Sequence, residues 1–171
     1  MKLKPLTRED CEVARHWRNE CLATLRTPYF ITEEMQSTFY DDVICSRNSP
    51  HRYWGISEDK TLIAMCGITD VAFENSIGEI SLIVNPDYKR KGYGEKAVDL
   101  LLNKAFNQMG LKTVFGEVYC SNESGVKFWS NVCDKYEGYK TLLLDRKFWE
   151  GKFHDSIYFS INKENFSNAH R

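Results

Sequence analysis

The sequence contains no run of apolar residues long enough to cross a bilayer. Its first residues, MKLKPLTRED, lack the apolar stretch of a secretion leader. No membrane partner is expected, and the chain is read as cytoplasmic. An excess of one charge is also missing, with 23 Lys and Arg against 24 Asp and Glu and a net charge of −1. Nucleic-acid proteins carry a basic face, so no nucleic-acid partner is expected. The six cysteines, Cys11, Cys21, Cys45, Cys66, Cys120 and Cys133, form no C-x-x-C pair. No Cys/His cluster has zinc spacing, so no metal is expected. They read as small buried hydrophobes in a reducing compartment. No internal repeat, low-complexity stretch or linker interrupts the chain.

What is present suits one folded domain. The 171 residues are 42 % apolar and 13 % aromatic, well outside the disordered regime. Residues 1–162 are read as that domain and 163–171 as a polar, frayed tail. Lys2–Leu6 reads as a short strand. Thr7-Arg-Glu-Asp10 has the capping-box spacing and opens a helix to about Leu22, with Val13, Ala14 and Trp17 inward. Thr32 caps a second helix to about Ile44, with Met35, Phe39 and Val43 at helical spacing. Strands at Arg52–Ser57, Thr61–Val71 and Ile77–Val84 follow at spacings short enough for antiparallel pairing. After Pro86 the period changes. Gly92–Met109 is predicted as a helix ended by Gly110, Thr113–Tyr119 as a strand and Asn122–Val132 as a helix. Glu137–Trp149 and Lys152–Ile161 close the chain as a hairpin around Glu150-Gly151. The sum is a mixed α/β sheet covered by helices.

The chemically informative segment is Glu79-Ile-Ser-Leu-Ile-Val-Asn-Pro-Asp-Tyr-Lys-Arg-Lys-Gly-Tyr-Gly-Glu95. A strand ends, a basic loop with glycines follows, and a long helix begins. The first turn of a helix leaves N–H groups without partners, and the macrodipole adds positive potential there. Gly92 and Gly94 let backbone approach a ligand, and Lys89, Arg90 and Lys91 add charge. The ligand this suits is a pyrophosphate. The other reading of the loop is a turn that needs glycine, beside a solvated basic cluster. The spacing is neither a Walker motif nor a Rossmann fingerprint.

This loop resembles the pyrophosphate motif of the GNAT superfamily of acetyl-CoA-dependent N-acetyltransferases, Gln/Arg-x-x-Gly-x-Gly/Ala, with Lys89, Gly92 and Gly94 at the marked positions. Val84-Asn-Pro86 resembles the family's preceding Val-x-Pro. Asn122-x-x-Gly125-x-x-Phe128-Trp129 resembles its later Asn-x-x-Ala-x-x-Phe-Tyr. The order of elements is similar over roughly residues 2–161. The resemblance implies a mostly antiparallel sheet with splayed central strands, flanked by about four helices. It also implies acetyl-CoA as co-substrate. Ile83 and Val84 would bond the pantetheine arm, and the amides of Arg90, Lys91, Gly92, Tyr93, Gly94 and Glu95 would hold the pyrophosphate. Asn122, Phe128 and Trp129 would line the arm and the thiol end. Trp129 stands where many members have a tyrosine acid, so Tyr136 or Tyr139 is expected to substitute, or the thiolate leaves unaided.

Acetylating an amine needs a base, because an ammonium near its reference pKa of about 10.4 is protonated at neutral pH. The resemblance makes Glu79 that base and Glu74 its reserve, with a backbone N–H near Val84 for the oxyanion. Glu79 also reads as a solvated strand carboxylate. Cys120 reads as a thiol near the site rather than an acyl carrier. Trp17-Arg18-Asn19 resembles a motif of enzymes that acetylate nucleotide-linked amino sugars, or else anchors a helix end. Arg18 suits an anion and Asn19 hydroxyls or amides. Arg26, Tyr29 and Phe30 are further candidate wall residues. The last hairpin resembles the ribosomal-protein N-terminal and polyamine acetyltransferase branches. The expected acceptor is thus a small or peptide amine, with an amino sugar first and a protein N-terminus as the alternative. A homodimer is an added expectation, and an acetyl-CoA sensor without turnover is the alternative of another class.

Overall fold

The structure is a computed structural model that describes residues 1–170. Its centre is a seven-stranded sheet in the order β1-β2-β3-β4-β5-β7-β6. The strands are β1 (Leu3–Lys4), β2 (Arg52–Glu58), β3 (Thr61–Ala72), β4 (Ile77–Val84), β5 (Thr113–Tyr119), β6 (Tyr139–Trp149) and β7 (Lys152–Asn162). The helices are α1 (Arg8–Glu20), α2 (Glu33–Phe39), α3 (Tyr93–Asn103), α4 (Glu123–Lys135) and α5 (Lys163–Asn168). Every strand pair is antiparallel except β4 with β5.

Local chemistry explains most element ends. Thr7 caps α1 by accepting from the Asp10 amide, and Asp10 accepts from the Thr7 amide in return. Burial works to raise the Asp10 pKa, but Lys4 and Thr7 outweigh it, so the carboxyl lies below its ordinary range. The two-residue turns Asp59-Lys60 and Glu150-Gly151 take left-handed φ at both positions, 47° and 69° and then 49° and 80°. Their twist matches that of paired strands.

Two packed layers cover the sheet. Val98, Leu101, Leu102 and Phe106 bury against Ile56, Ile63 and Ile68 on one face. Each such side chain contributes about 1.5–3 kcal/mol relative to exposure. Cys11, Ala14 and Trp17 of α1 bury against Leu62 and Met65 on the other. Val13 was expected inward and is 43 % exposed. It lies about 100° round the helix from Ala14, off the stripe that 11, 14 and 17 define. In α2 the buried residue is Gln36, while Met35 is exposed. Both α2 and α3 end in a wider π turn, over Tyr40–Ile44 and Lys104–Gln108.

The tail expected to fray is largely helical. α5 is capped by Asn162, and Phe166 buries in the main core. Cys11, Cys66 and Cys133 are buried as expected, whereas Cys45 is exposed. No helix among the described residues is long and apolar enough to cross a membrane.

The feature that positions the site is the divergence of β4 from β5. They pair in parallel only from Ile77 and Thr113 to Glu79 and Phe115, although both strands continue. Beyond that point the β5-facing edge of β4, Ile80–Val84, has no strand partner. Phe159 of β7 fills the gap. A Cβ on Gly116 would stand 2.4 Å from its ring, so β5 needs glycine there. Trp129 of α4 stacks on Phe159 with centroids 4.7 Å apart.

Candidate active site

A cavity of about 320 Å³ occupies the divergence. Asn122, Trp129, Phe159 and Val118 are on its wall. Ile80, Ser81, Leu82 and Ile83 of β4 line it too. The same wall carries the charged groups Arg18, Arg26, Asp70, Glu79 and Glu117, with His51, Tyr53 and Tyr119. The carboxylate expected as base therefore lies on the same cavity as Asn122 and Trp129, although they come from separate elements.

Glu79 is not free. Arg26 donates to both its oxygens, at 2.7 Å and 3.2 Å, and the Glu79 side chain is only 14 % exposed. The same guanidinium stands 3.6 Å from Glu117. Glu117 also accepts from Arg146 at 2.9 Å and from the Ser156 hydroxyl at 2.6 Å. Burial works to raise the Glu117 pKa, yet Arg146, Ser156 and Arg26 outweigh it and hold the carboxyl below the usual glutamate range. The Arg26 guanidinium is held charged, mainly by the Glu79 pair. The mouth is thus a chain of alternating charges rather than a bare acidic patch.

The loop over this mouth is fixed from below. A bulge in β6, where the register slips between Leu143 and Lys147, turns Lys147 inward. Its ammonium is buried and donates to the carbonyls of Leu22, Ala23 and Leu25 at 2.9, 2.8 and 2.6 Å. Burial lowers its pKa. Thr24, Leu25 and Arg26 on the cavity wall inherit their position from these bonds.

Among the described residues the glycine loop presents a row of free amides. Gly92 caps α3 in the left-handed region at φ 80°, with open space where a Cβ would be. Arg90 is also left-handed, at φ 60°. The first intrahelical bond is Lys96 N–H to Gly92. The amides from Arg90 to Glu95, including Lys91, Tyr93 and Gly94, find no acceptor among the described residues. Lys89, Arg90 and Lys91 are exposed around them. Gly94 packs on Phe128, whose ring would stand 3.1 Å from a Cβ at that position, so Phe128 supports the loop. Asn122 caps α4 by accepting from Gly125 and Ser124. Unpartnered amides, the open β4 edge at Leu82 and Val84, and a cavity between them fit a long phosphorylated thioester such as acetyl-CoA, whereas Ile83, expected to bond the arm, turns its backbone groups to β3. Among the described residues no His, Cys, Asp and Glu side chains gather as a metal site.

Several expected residues do other work. Tyr136 is a core residue, 1 % exposed, with its hydroxyl on Asp99 and its pKa pushed up to about 12 by burial and Asp99. It is off the cavity wall and cannot serve as the acid. Tyr139 is exposed on β6 and Glu74 is exposed in the β3–β4 turn, both off the cavity. Asn19 spends both ends of its amide on the backbone of Ile31, at 2.9 and 3.0 Å, so it clamps a loop. Tyr29 lines a neighbouring cavity, while Phe30 is 69 % exposed and lines neither. Cys120 is off the wall too, and burial raises its pKa. Sequence reasoning missed Glu117, Tyr119, Tyr53, Asp70 and Lys147. Glu117 and Tyr119 gave one signal, polar groups two apart in an otherwise apolar strand.

Comparisons with known proteins bear on the family and the fold. A family model described as the Acetyltransferase (GNAT) family matches residues 13–133. The spermidine N(1)-acetyltransferase of Escherichia coli K12 is 23 % identical over 181 aligned positions, covering 100 % of this chain and 90 % of that protein. An uncharacterized N-acetyltransferase, p20, of Bacillus licheniformis is 25 % identical over 112 residues, covering 66 % of this chain and 61 % of that protein. Among solved structures, a spermidine N-acetyltransferase from Vibrio cholerae in complex with CoA and spermine superposes with a TM-score of 0.85. It is 17 % identical, and the match covers 98 % of both chains.

Proposed function

The chain belongs to the GNAT acetyltransferase family, and from that premise we propose that it moves the acetyl group of acetyl-CoA to an aliphatic primary amine, with Glu79 as base. The observation that carries this reading is the single cavity joining Asn122 and Trp129 to Glu79 across the parted strands. Acetyl-CoA supplies the acetyl group as a thioester. The amides of Arg90–Glu95 hold its pyrophosphate, and the open edge at Leu82 and Val84 orients its arm.

The residues then divide the work. Arg26 yields its place on Glu79 to the incoming ammonium. Glu79 takes the proton, directly or through water, so that the nitrogen lone pair can attack the acetyl carbon. An N–H on the open edge of β4 near Val84 donates to the carbonyl oxygen as charge builds there. The C–N bond forms, the C–S bond breaks, the sulfur leaves as thiolate, and the second proton of the nitrogen passes to solvent to give the neutral amide. A thiol has a pKa near 8.5, so the thiolate leaves tolerably at neutral pH. Trp129 bears no transferable proton. Its role is to wall the thiol end, braced on Phe159.

The relatives named for spermidine support a flexible aliphatic amine over the amino sugar expected from Trp17-Arg18-Asn19. The commitment of Asn19 to Ile31 supports the same choice. The test follows thiol release from acetyl-CoA with spermidine, amino sugars and N-terminal peptides. Release with spermidine above the uncatalysed rate is expected. Acetyl-CoA binding with no release for any amine would overturn the reading.

A further inference from the structure

Arg18 stands at the junction of two cavities. Beside the one described lies another of about 260 Å³, and the two share Arg18, Thr27, Tyr53 and Met65 on their walls. The second is mainly apolar and aromatic, with Ile31, Met35, Phe39 and Tyr29 around it. Its polar groups are few: Thr27, the buried Gln36, the Tyr29 and Tyr53 hydroxyls, and the Arg18 guanidinium.

That guanidinium has no partner among the described residues. It makes no hydrogen bond and no ion pair, and its Nε is buried. The contrast with other arginines is direct. Arg15 holds Glu12, Arg26 holds Glu79, Arg52 holds backbone carbonyls and Arg146 holds Glu117. Arg18 is half-buried, and its Nε is shut off from water without an acceptor. A buried donor left in that state is costly, and an anionic ligand would satisfy it. The cavity's own carboxylates do not fill the role: Glu79 and Glu117 are already paired with Arg26 and Arg146, and Asp70, on the same wall, makes no ion pair with Arg18.

We propose that the acceptor amine carries an anionic group on an apolar stem. Its amine reaches Glu79, its carboxylate or phosphate rests on the Arg18 guanidinium, and its stem lies against Ile31, Met35 and Phe39. This rests on the acetyltransferase reading and narrows its substrate. A bare polyamine leaves Arg18 unanswered, so it is a poorer acceptor than an amine of similar length ending in an anion.

The experiment compares hexylamine, aminohexanoate, aminopentyl phosphate and spermidine as acceptors, by thiol release. In the wild-type protein at least one anionic amine should exceed hexylamine in kcat/KM by about tenfold or more. Arg18→Gln should cut that ratio by about 10- to 100-fold, mainly through KM. Arg18→Lys should rescue a phosphate better than a carboxylate, because it keeps charge but loses the fork. Whichever arm responds names the anion. Equal use of all amines by the wild type, or an Arg18→Gln loss in the same proportion for each, would overturn the subsite. Should Arg18→Gln fail to fold, calorimetry on the wild type decides: hexanoate or pentyl phosphate should bind and hexanol should not. No binding by either anion overturns the inference. Failure of every amine to release thiol strikes the transfer reading instead, and the calorimetry still judges the subsite.

Discussion

Arg26 closes a two-pronged ion pair on Glu79, with Nη2 2.7 Å from Oε1 and Nη1 3.2 Å from Oε2. The two residues are 53 positions apart in the chain. The guanidinium, 61 % exposed, therefore occupies both oxygens that an acceptor ammonium would approach in the proposed reaction.

With its guanidinium partner largely in solvent, the pair is worth about 1 kcal/mol. Arg26→Ala should accordingly lower KM for the acceptor by up to about fivefold, with little change in melting temperature. Steady-state kinetics check this. A rise in KM would mean that Arg26 holds the acceptor instead of standing in its way.

Glu79→Gln removes the proposed base without changing the shape of the side chain. The expected result is a fall in kcat of about 10²- to 10⁴-fold. The deficit should shrink as pH rises toward the amine's own pKa, because the acceptor then arrives deprotonated. A near-normal rate at neutral pH would transfer the role to water alone.

Gly92→Val tests the proposed cradle. At φ 80° a side chain with a Cβ is strained, by about 1–2 kcal/mol. Relief of that strain turns the amides of the loop away from a common point. Titration calorimetry on the folded variant should find weaker CoA binding, and unchanged affinity would remove the loop from the binding site.

Glu117 sets part of the acid stability. Its carboxyl titrates lower in the folded chain than its ordinary value of 4.5. A depressed carboxylate stabilises the fold above the unfolded value and loses that contribution as pH falls through the folded one. Melting temperature should thus fall as pH drops below about 4.5, and the fall should be shallower in Glu117→Gln. Equal slopes would mean that other carboxylates, such as Asp10, carry the effect.

Much of the fold was legible because local rules governed it. β4 and β5 have the limits that alternation and turn residues predicted, and the capping box at Thr7 and Asp10 formed both of its bonds. The glycine loop was legible for the same reason, since a left-handed cap needs Gly92 whatever surrounds it. The misses share a cause in direction and distance. Tyr136 follows Trp129 by nearly two turns of α4, on the same side of the helix but about 10 Å further along it, which puts it in the core beside Asp99. Asn19 follows Arg18 in the chain yet meets Ile31. Phe166 made the tail a helix through burial, which a polar composition hides. The Arg26–Glu79–Glu117–Arg146 chain joins four elements that no spacing rule connects.

The bonds from Lys147 to Leu22, Ala23 and Leu25 span 125, 124 and 122 positions of sequence. A ribosome makes the loop early and its anchor late, at about 5–20 residues per second. The rim of the mouth therefore cannot settle until β6 has emerged. A nascent chain that stops before β6 has Gly92 and Glu79 but lacks the ammonium that holds the carbonyls beside Arg26. The order of synthesis in this way puts the loop's anchor more than a hundred residues behind the loop itself.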